Sequence, residues 1–187
     1  MLSRARQLTL PALFLATLGS FTYPASASAT VPAETRVAAQ DAEAQVLSDT
    51  VLIRNVTSNR CLYVPWQTPD NGAVAKQIDC EPGYNDQRWT VQPAVNGSYL
   101  IRNAHNGRCL YVPWQTPGNG AVVKQIDCNS KYADQLWKLE TTSNGNRQLR
   151  NVNSNRCMWV PWQTPENNAE VKQIDCNPKY SDQQWEI

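Results

Sequence analysis

The sequence predicts a closed, all-β domain with threefold pseudosymmetry, and three observations lead to this expectation. From residue 51 onward the 187-residue chain repeats with a period of 48 residues, giving repeats over about 51–98, 99–146 and 147–187. The end of each repeat alternates in period two, which is typical of half-buried strands. Three units are too few for a propeller, and an open stack of three would leave unpaired sheet edges.

The start of the chain has the pattern of a signal peptide. Arg4 and Arg6 form a basic region, an apolar stretch covers about 8–21, and small residues with A-x-A cleavage sites follow at 25–29. The apolar stretch is too short to span a membrane as a helix. We therefore predict a signal peptide over 1–29, a secreted, extracellular protein and no membrane span. The leader resembles a bacterial one.

The segment that follows, 30–50, is rich in Ala, carries scattered charges and contains no aromatic residue. We predict a flexible N-terminal extension there, with the folded domain over 51–187. Lys and Arg number 17 against 16 Asp and Glu, a formal charge of +1. Because nucleic-acid binding needs a clustered basic surface, we expect no nucleic-acid partner.

A tight turn precedes the first cysteine of each repeat. Its corner holds Asn59, Gly107 or Asn155, residue types that tolerate positive φ. A loop of sequence VPWQTP follows and is identical in all three copies. The copies lie at 64–69, 112–117 and 160–165. Its two prolines remove backbone donors, which favours a stiff loop over a strand.

The second half of each repeat contains one ambiguous segment and one clear strand. Neither face of residues 73–80 is uniformly apolar, so the pattern leaves the register of this segment open. The last segment follows a Gln-x-Trp-x-apolar pattern with one buried face. The Gln-x-Trp residues are Gln87, Trp89, Gln135, Trp137, Gln183 and Trp185.

The six cysteines form one pair per repeat, with partners 19 residues apart. The repeat symmetry singles out pairing within each repeat, and each bridge would contribute roughly 3 kcal/mol to stability. The predicted disulfides are Cys61–Cys80, Cys109–Cys128 and Cys157–Cys176. No C-x-x-C motif occurs and His105 is the only histidine, so we expect no metal site and no cofactor.

We find no catalytic constellation in the sequence. His105 has Thr57 and Asn153 at the equivalent positions. A single histidine is weak support for a catalytic Ser-His or Cys-His pair. Two aspartates recur in every repeat, Asp79 and Asp86 in the first, whereas a glycosidase normally builds one carboxylate pair into one cleft. We therefore predict that the protein is not an enzyme.

The three Gln-x-Trp triplets, each with Cys-x-x-Val upstream, resemble the ricin B-type lectin domain. The likeness covers all three repeats, about 51–187. It implies a β-trefoil, a mainly structural role for the Gln-x-Trp residues, and a shallow sugar pocket in each repeat. It also implies a glycan or polysaccharide partner, bound by a protein that we expect to be a monomer.

The sequence departs from this family at the four positions of the family's sugar pocket. Tyr63 replaces an Asp, and Ile78 replaces the aromatic residue that stacks on the sugar. Lys76 replaces a polar residue, often Gln, and Asp86 replaces an Asn. The other repeats depart in the same way at Tyr111, Ile126, Lys124 and Asp134, and at Trp159, Ile174, Lys172 and Asp182. The galactose-type recognition of the family is therefore in doubt.

The unchanged Trp-Gln of the VPWQTP loop indicates a replacement site, because 91–98 and 139–146 have diverged while this loop has not. We hypothesise that aromatic pairs such as Tyr63 and Trp66 stack on a sugar while polar neighbours bind its hydroxyls. The candidate residues are Tyr63, Trp66, Gln67, Asn71, Lys76 and Asp86, with Tyr111, Trp114, Gln115, Asn119, Lys124 and Asp134, and with Trp159, Trp162, Gln163, Asn167, Lys172 and Asp182.

Alternatives stay open for the site and for the protein. Trp66 could instead fill the bottom of the barrel, and Lys76 with Asp86 could select an acidic or amino sugar or form a surface ion pair. Our first hypothesis is a secreted, non-catalytic carbohydrate-binding lectin with up to three equivalent shallow sites. The alternative is a protein-binding trefoil, a toxin-associated subunit or hydrolase inhibitor, that has lost the sugar pocket and binds through residues that differ between repeats, such as His105.

Overall fold

The computed structural model describes residues 49–187, in which strands alternate with loops and 3₁₀ turns and no α-helix occurs. The predicted signal peptide at 1–29 and the predicted extension up to residue 48 lie outside the described residues. Thr50, the last residue of that extension, already belongs to the first strand. In the described part, no helix is long and apolar enough to cross a membrane.

Thirteen short strands build this part of the chain. They are β1 (Thr50–Leu52), β2 (Arg54–Asn55), β3 (Cys61–Tyr63), β4 (Lys76–Ile78), β5 (Arg88–Pro93), β6 (Tyr99–Asn103), β7 (Cys109–Tyr111), β8 (Lys124–Ile126), β9 (Trp137–Thr141), β10 (Arg147–Asn151), β11 (Cys157–Trp159), β12 (Lys172–Ile174) and β13 (Trp185–Glu186). The 3₁₀ turns are Asn85–Gln87, Val95–Gly97, Ala133–Gln135 and Ser181–Gln183.

Antiparallel pairing closes seven of these strands into a barrel. The order runs from β1 through β5, β6, β9, β10 and β13 to β2. Because β1 and β2 are consecutive segments of one stretch of chain, β2 returns the sheet to its starting point. The prediction of a closed all-β body is confirmed, and closure removes the sheet edges that would otherwise be exposed.

Each repeat adds one hairpin to this barrel: β3–β4, β7–β8 and β11–β12. The hairpin loops bond to one another in a ring, since Ala75 N–H donates to Val123, Val123 to Val171, and Val171 to Ala75, each at 2.9 Å. Every repeat therefore contacts both others in the same way. A barrel with three such hairpins is a β-trefoil, and this prediction is confirmed.

The barrel core is built around the tryptophans of the Gln-x-Trp triplets, which are fully buried. Trp89 Nε1 donates to the Leu62 carbonyl at 2.9 Å, and the equivalent bond is 3.1 Å long in the other two repeats. Burial of a large ring with its one polar atom satisfied is favourable, so these rings join each barrel strand to the hairpin of its own repeat.

The glutamines of the triplets lie in 3₁₀ turns and not in strands, so each final strand begins one or two residues later than its pattern. Gln87 belongs to the turn Asn85–Gln87, and β5 begins at the next residue. Its buried side chain accepts from Glu81 N–H at 2.8 Å and donates to the Asp79 carbonyl at 3.2 Å. This side chain thus fixes the loop between the hairpin and the barrel.

The ambiguous register of 73–80 has a structural explanation. Gln77, at the centre of β4, is fully buried. Its amide donates to the Thr164 and Glu166 carbonyls at 3.3 and 3.0 Å, so a polar residue occupies the inner face of the strand. Hydropathy alternation cannot identify such a strand, because the partners of the buried amide are far away in sequence.

The disulfide and turn predictions are confirmed. Cysteines pair within each repeat as Cys61–Cys80, Cys109–Cys128 and Cys157–Cys176. The turn before each first cysteine has a positive φ at its corner, 58° at Asn59, 72° at Gly107 and 57° at Asn155. Asn and Gly occupy these corners because they adopt this backbone conformation at little cost.

Candidate functional site

The loop tryptophans Trp66, Trp114 and Trp162 are 61%, 66% and 64% exposed. Each lies in a turn that is closed by a hydrogen bond from a threonine N–H to a proline carbonyl. In the first repeat Thr68 N–H donates to the Pro65 carbonyl at 2.9 Å. The tryptophan and the following glutamine form the tip of this turn. The alternative in which the loop tryptophan fills the bottom of the barrel is therefore wrong.

Each of these loops is held by the repeat that follows it. In the first, the Gln125 amide donates to the Pro69 carbonyl at 2.8 Å, and Arg108 donates to the same carbonyl. Arg108 Nε also donates to Asn71 Oδ1 at 2.8 Å, and Asn71 Nδ2 donates to Asp127 Oδ2 at 2.8 Å. The loop is therefore fixed by hydrogen bonds between repeats as well as by its prolines.

The three candidate asparagines lie in these inter-repeat contacts and do not line the clefts beside the exposed tryptophans. Asn71, Asn119 and Asn167 each bridge an arginine and an aspartate of another repeat. Asn119 bridges Arg156 and Asp175, and Asn167 bridges Arg60 and Asp79. With their amides occupied in this way, they position the loop and do not face a ligand.

The other candidate residues of the first repeat come together in one cleft, which has a volume of about 1060 Å³. They are Tyr63, Trp66, Gln67, Lys76 and Asp86. A cleft of this size is at the upper end of the range for small-molecule sites. Five of the six candidate residues of this repeat thus line the same cleft.

A second cleft, of about 540 Å³, lies in the third repeat. Its candidate residues are Trp159, Trp162, Gln163 and Asp182. Lys172 does not line it and instead pairs with Glu170 at 3.6 Å. In the second repeat Trp114 and Gln115 are exposed like Trp66 and Gln67, and Lys124 and Asp134 are partly buried like Lys76 and Asp86. Tyr111 is partly buried.

Three exposed tyrosines are absent from the residues predicted from the sequence. Tyr84, Tyr132 and Tyr180 are 63%, 58% and 58% exposed. Tyr84 lines the first cleft, and Tyr180 lines the cleft of the third repeat. Their signal was present, since each precedes the recurring aspartate by two residues while the residues on either side of it vary.

Tyr63 is only 5% exposed, so it does not offer a ring face for stacking. Its hydroxyl hydrogen bonds to Asn168, and burial followed by the nearby charge of Asp86 raises the pKa of Tyr63. The expected aromatic pair of Tyr63 and Trp66 is therefore replaced by the exposed pair of Trp66 and Tyr84. Tyr63 supports the cleft from below its surface.

Burial raises the pKa of Asp86, Asp134 and Asp182 above the usual range of an aspartate. Backbone N–H groups oppose this effect in part in each repeat, and His105 also does so at Asp86. Within residues 49–187 none of the three is in an ion pair. Oδ1 of Asp134 and of Asp182 is buried without a hydrogen-bond partner among those residues.

Each cleft also takes a residue from the turn of the next repeat, and this residue varies. His105 lines the first cleft. Thr57 lines the cleft of the third repeat and donates to Ser181 Oγ at 2.8 Å. Within residues 49–187 the three repeats therefore share two exposed rings and a carboxylate without an ion pair, and the two clefts differ at their rims. In the described part of the chain, no group of three or more metal-ligating side chains comes together.

Two family descriptions match the chain. "Ricin-type beta-trefoil lectin domain-like" matches residues 38–126, and "Ricin-type beta-trefoil lectin domain" matches residues 97–187. No curated protein matches the sequence.

Several solved structures share the fold. A designed threefold-symmetric protein, ThreeFoil, is 24% identical with a TM-score of 0.68, over 73% of this chain and 95% of that one. The earthworm R-type lectin C-half in complex with GalNAc is 14% identical with a TM-score of 0.58, over 74% and 96%. An exo-β-1,3-galactanase from Clostridium thermocellum is 22% identical with a TM-score of 0.66, over 73% of this chain but only 29% of the enzyme chain.

At these identities the structural likeness concerns the fold, while the two family matches concern the sequence and together extend over residues 38–187. The threefold repeat, the buried Gln-x-Trp triplets and the three hairpins agree with both. This chain belongs to the ricin-type β-trefoil lectin domain family and has its carbohydrate-binding lectin fold.

Proposed function

We propose that this protein is a secreted, non-catalytic lectin that binds glycans in up to three shallow clefts, one in each repeat. The observation that carries the proposal is the first cleft, where the exposed rings of Trp66 and Tyr84 lie with the unpaired carboxylate of Asp86. The family supports a carbohydrate ligand, and so does the related earthworm lectin, which was solved in complex with GalNAc.

The chemistry of the cleft suits a pyranose ring. The apolar C–H face of a sugar packs against a flat aromatic ring, and Trp66 and Tyr84 offer such rings to solvent. Gln67, Lys76 and Asp86 supply donors and acceptors for the hydroxyl groups. Because the neighbouring repeat already holds the loop in place, binding requires little additional ordering of the chain.

The feature that recurs in the three repeats is one carboxylate and two exposed rings, and a second carboxylate, Glu170, lines only the first of the two described clefts. The recurring arrangement favours binding over hydrolysis. Glycoside hydrolysis generally needs two carboxyl groups set on either side of the scissile bond. His105 likewise belongs to the first cleft alone, since Thr57 takes its position in the third. We therefore assign no catalytic step to this domain.

The test is retention of the mature, oxidised protein on a panel of immobilised polysaccharides. Replacing Trp66, Trp114 and Trp162 together by Ala removes the rings and should lower retention by at least about tenfold. The matched control replaces the same three residues by Phe, which keeps a flat ring at the same place and should keep most of the binding.

Two results would contradict the proposal. Full binding by the folded triple Ala variant would show that the glycan site lies elsewhere. Failure of the folded wild-type protein to bind any glycan would instead favour a protein-binding trefoil. Analysis of the bound polysaccharide for released sugars tests the non-catalytic assignment, and the N-terminal residue of protein recovered from the culture medium tests secretion.

A further inference from the structure

The first cleft differs from the others in carrying a second carboxylate. Glu170, which lines it, comes from the hairpin loop of the third repeat and forms a backbone bridge with Lys76. The equivalent bridges are Val74 with Lys124 and Val122 with Lys172, so the other two sites have valine at this position. The first cleft therefore combines Asp86 and Glu170, whereas the others hold one recurring aspartate each.

The cationic groups of this cleft do not neutralise that charge. Lys76 and His105 are its basic residues, and neither forms an ion pair within residues 49–187. Lys172 lies 3.6 Å from Glu170 but does not line the cleft, and an exposed pair of this kind contributes little. The lining of the cleft therefore holds two carboxylates, the ammonium group of Lys76 and the imidazole of His105.

The aromatic residues of the cleft also favour a cationic ligand. The faces of Trp66 and Tyr84 carry negative electrostatic potential, and a cation over such a face is attracted to it. A ligand acid group would meet Asp86 and Glu170 and be repelled. Exposed rings and two carboxylates, neither paired with a cation of the cleft lining within residues 49–187, together favour a ligand that has an apolar face and a positive charge.

We propose that the first cleft binds a glycan unit that carries a protonated amino group, a de-N-acetylated hexosamine, and that Asp86 and Glu170 select it over the N-acetylated form. This inference rests on the proposed lectin function and names the ligand class of one of its sites. The ammonium group pairs with the carboxylates while the sugar ring packs on Trp66 or Tyr84.

The test compares two soluble ligands that differ only in acetylation, the tetramer of β-1,4-linked glucosamine and that of N-acetylglucosamine. Titration at about pH 6, followed by tryptophan fluorescence and calorimetry, keeps the amine of the glucosamine units protonated. We expect the wild-type protein to prefer the glucosamine tetramer by about tenfold at low salt, with the preference falling as salt is added.

Three single variants locate the selectivity. Asp86→Asn removes one charge without changing shape and should abolish most of the preference, whereas Glu170→Val, the residue of the other repeats, should reduce it by a factor of about three. Glu81→Asn is the matched control, because Glu81 is an exposed carboxylate outside the cleft and Asn occupies its position in the other repeats. This control should keep the preference.

The outcomes separate this inference from the proposed function. Equal or tighter binding of the N-acetylated tetramer by the wild-type protein overturns the inference and leaves the lectin proposal standing. An unchanged preference in both Asp86→Asn and Glu170→Val, each folded by near-ultraviolet circular dichroism, overturns the assignment to these carboxylates. Failure to bind either tetramer, while another polysaccharide is retained, overturns the inference alone.

Discussion

The carboxyl groups of Asp86, Asp134 and Asp182 lie where burial disfavours their charged form. Burial raises the pKa of each carboxyl group, and no ion pair within residues 49–187 compensates it. A group that a fold keeps in an unfavourable environment is typical of a functional site, because a ligand can supply the missing partner. The same residues are therefore expected to lower stability in the absence of ligand.

We expect the triple variant Asp86→Asn, Asp134→Asn and Asp182→Asn to unfold at a higher temperature than the wild-type protein at pH 7. A carboxyl group whose pKa is raised by folding binds protons more tightly in the folded state, so the cost of its charge is fully present above the raised pKa. This cost falls as the pH drops through that pKa, and it disappears below the ordinary value of 3.8. The advantage of the variant should accordingly shrink on acidification.

Thermal unfolding at pH 7 and at about pH 3 measures this difference. Glu81→Asn serves as the control, since it removes an exposed carboxylate. A triple variant less stable than the wild-type protein at pH 7 would show that the backbone N–H groups outweigh burial at these positions.

The hairpin loops depend on contacts between elements that lie far apart in the sequence. Arg108 reaches Asn71 across 37 positions, and Arg60 reaches Asn167 across 107. Sequence patterns report local neighbours and periodic faces, so they predicted the disulfides, the turn corners and the loop itself. They placed Asn71 in the binding site because its polarity and position could not reveal that Arg108 and Asp127 occupy its amide.

The same limit explains the other differences between prediction and structure. The burial of Gln77 depends on carbonyl groups of the third repeat, and the buried hydroxyl of Tyr63 likewise bonds to Asn168 of that repeat. Repetition was the better guide, because Tyr84, Trp66 and Asp86 all recur at the 48-residue period.

We expect Asn71→Ala to loosen the first loop and to lower the free energy of unfolding by about 0.5–1 kcal/mol, the usual contribution of partly exposed hydrogen bonds. The substitution removes the bonds to Arg108 and Asp127 but no ring of the cleft. Denaturant unfolding measures the stability, and hydrogen exchange of residues 66–72 measures the loop.

Asp70→Ala is the control for this loop, because position 70 varies among the repeats and the Asp70 side chain makes no hydrogen bond within residues 49–187. Equal exchange rates for Asn71→Ala and the wild-type protein would mean that the prolines and Gln125 suffice to hold the loop.

The trefoil places three related sites on one rigid body without making them identical. The aromatic residue at the end of the first hairpin strand is Tyr63, Tyr111 or Trp159, of which only Tyr63 is almost fully buried. In the two described clefts the rim residue from the next repeat is His105 or Thr57, and only one of the two has Glu170. These differences allow one polymer to be bound through several units while single units are bound unequally. Affinity for a polymer then depends on the number of working clefts more than on any one of them.

The variants Trp66→Ala, Trp114→Ala and Trp162→Ala, made singly and in pairs, should separate affinity from avidity. A rigid body that binds one polymer at several points gains about 100-fold or more over a single site, so each lost cleft should weaken polysaccharide binding more than it weakens binding of a short oligosaccharide. Surface plasmon resonance on immobilised polysaccharide, beside calorimetry with the free oligosaccharide, measures both quantities. If one substitution abolishes binding in both assays and the others change neither, a single cleft carries the function. Graded losses on the polymer, with the oligosaccharide affected mainly by one substitution, would follow from three unequal clefts on one rigid trefoil.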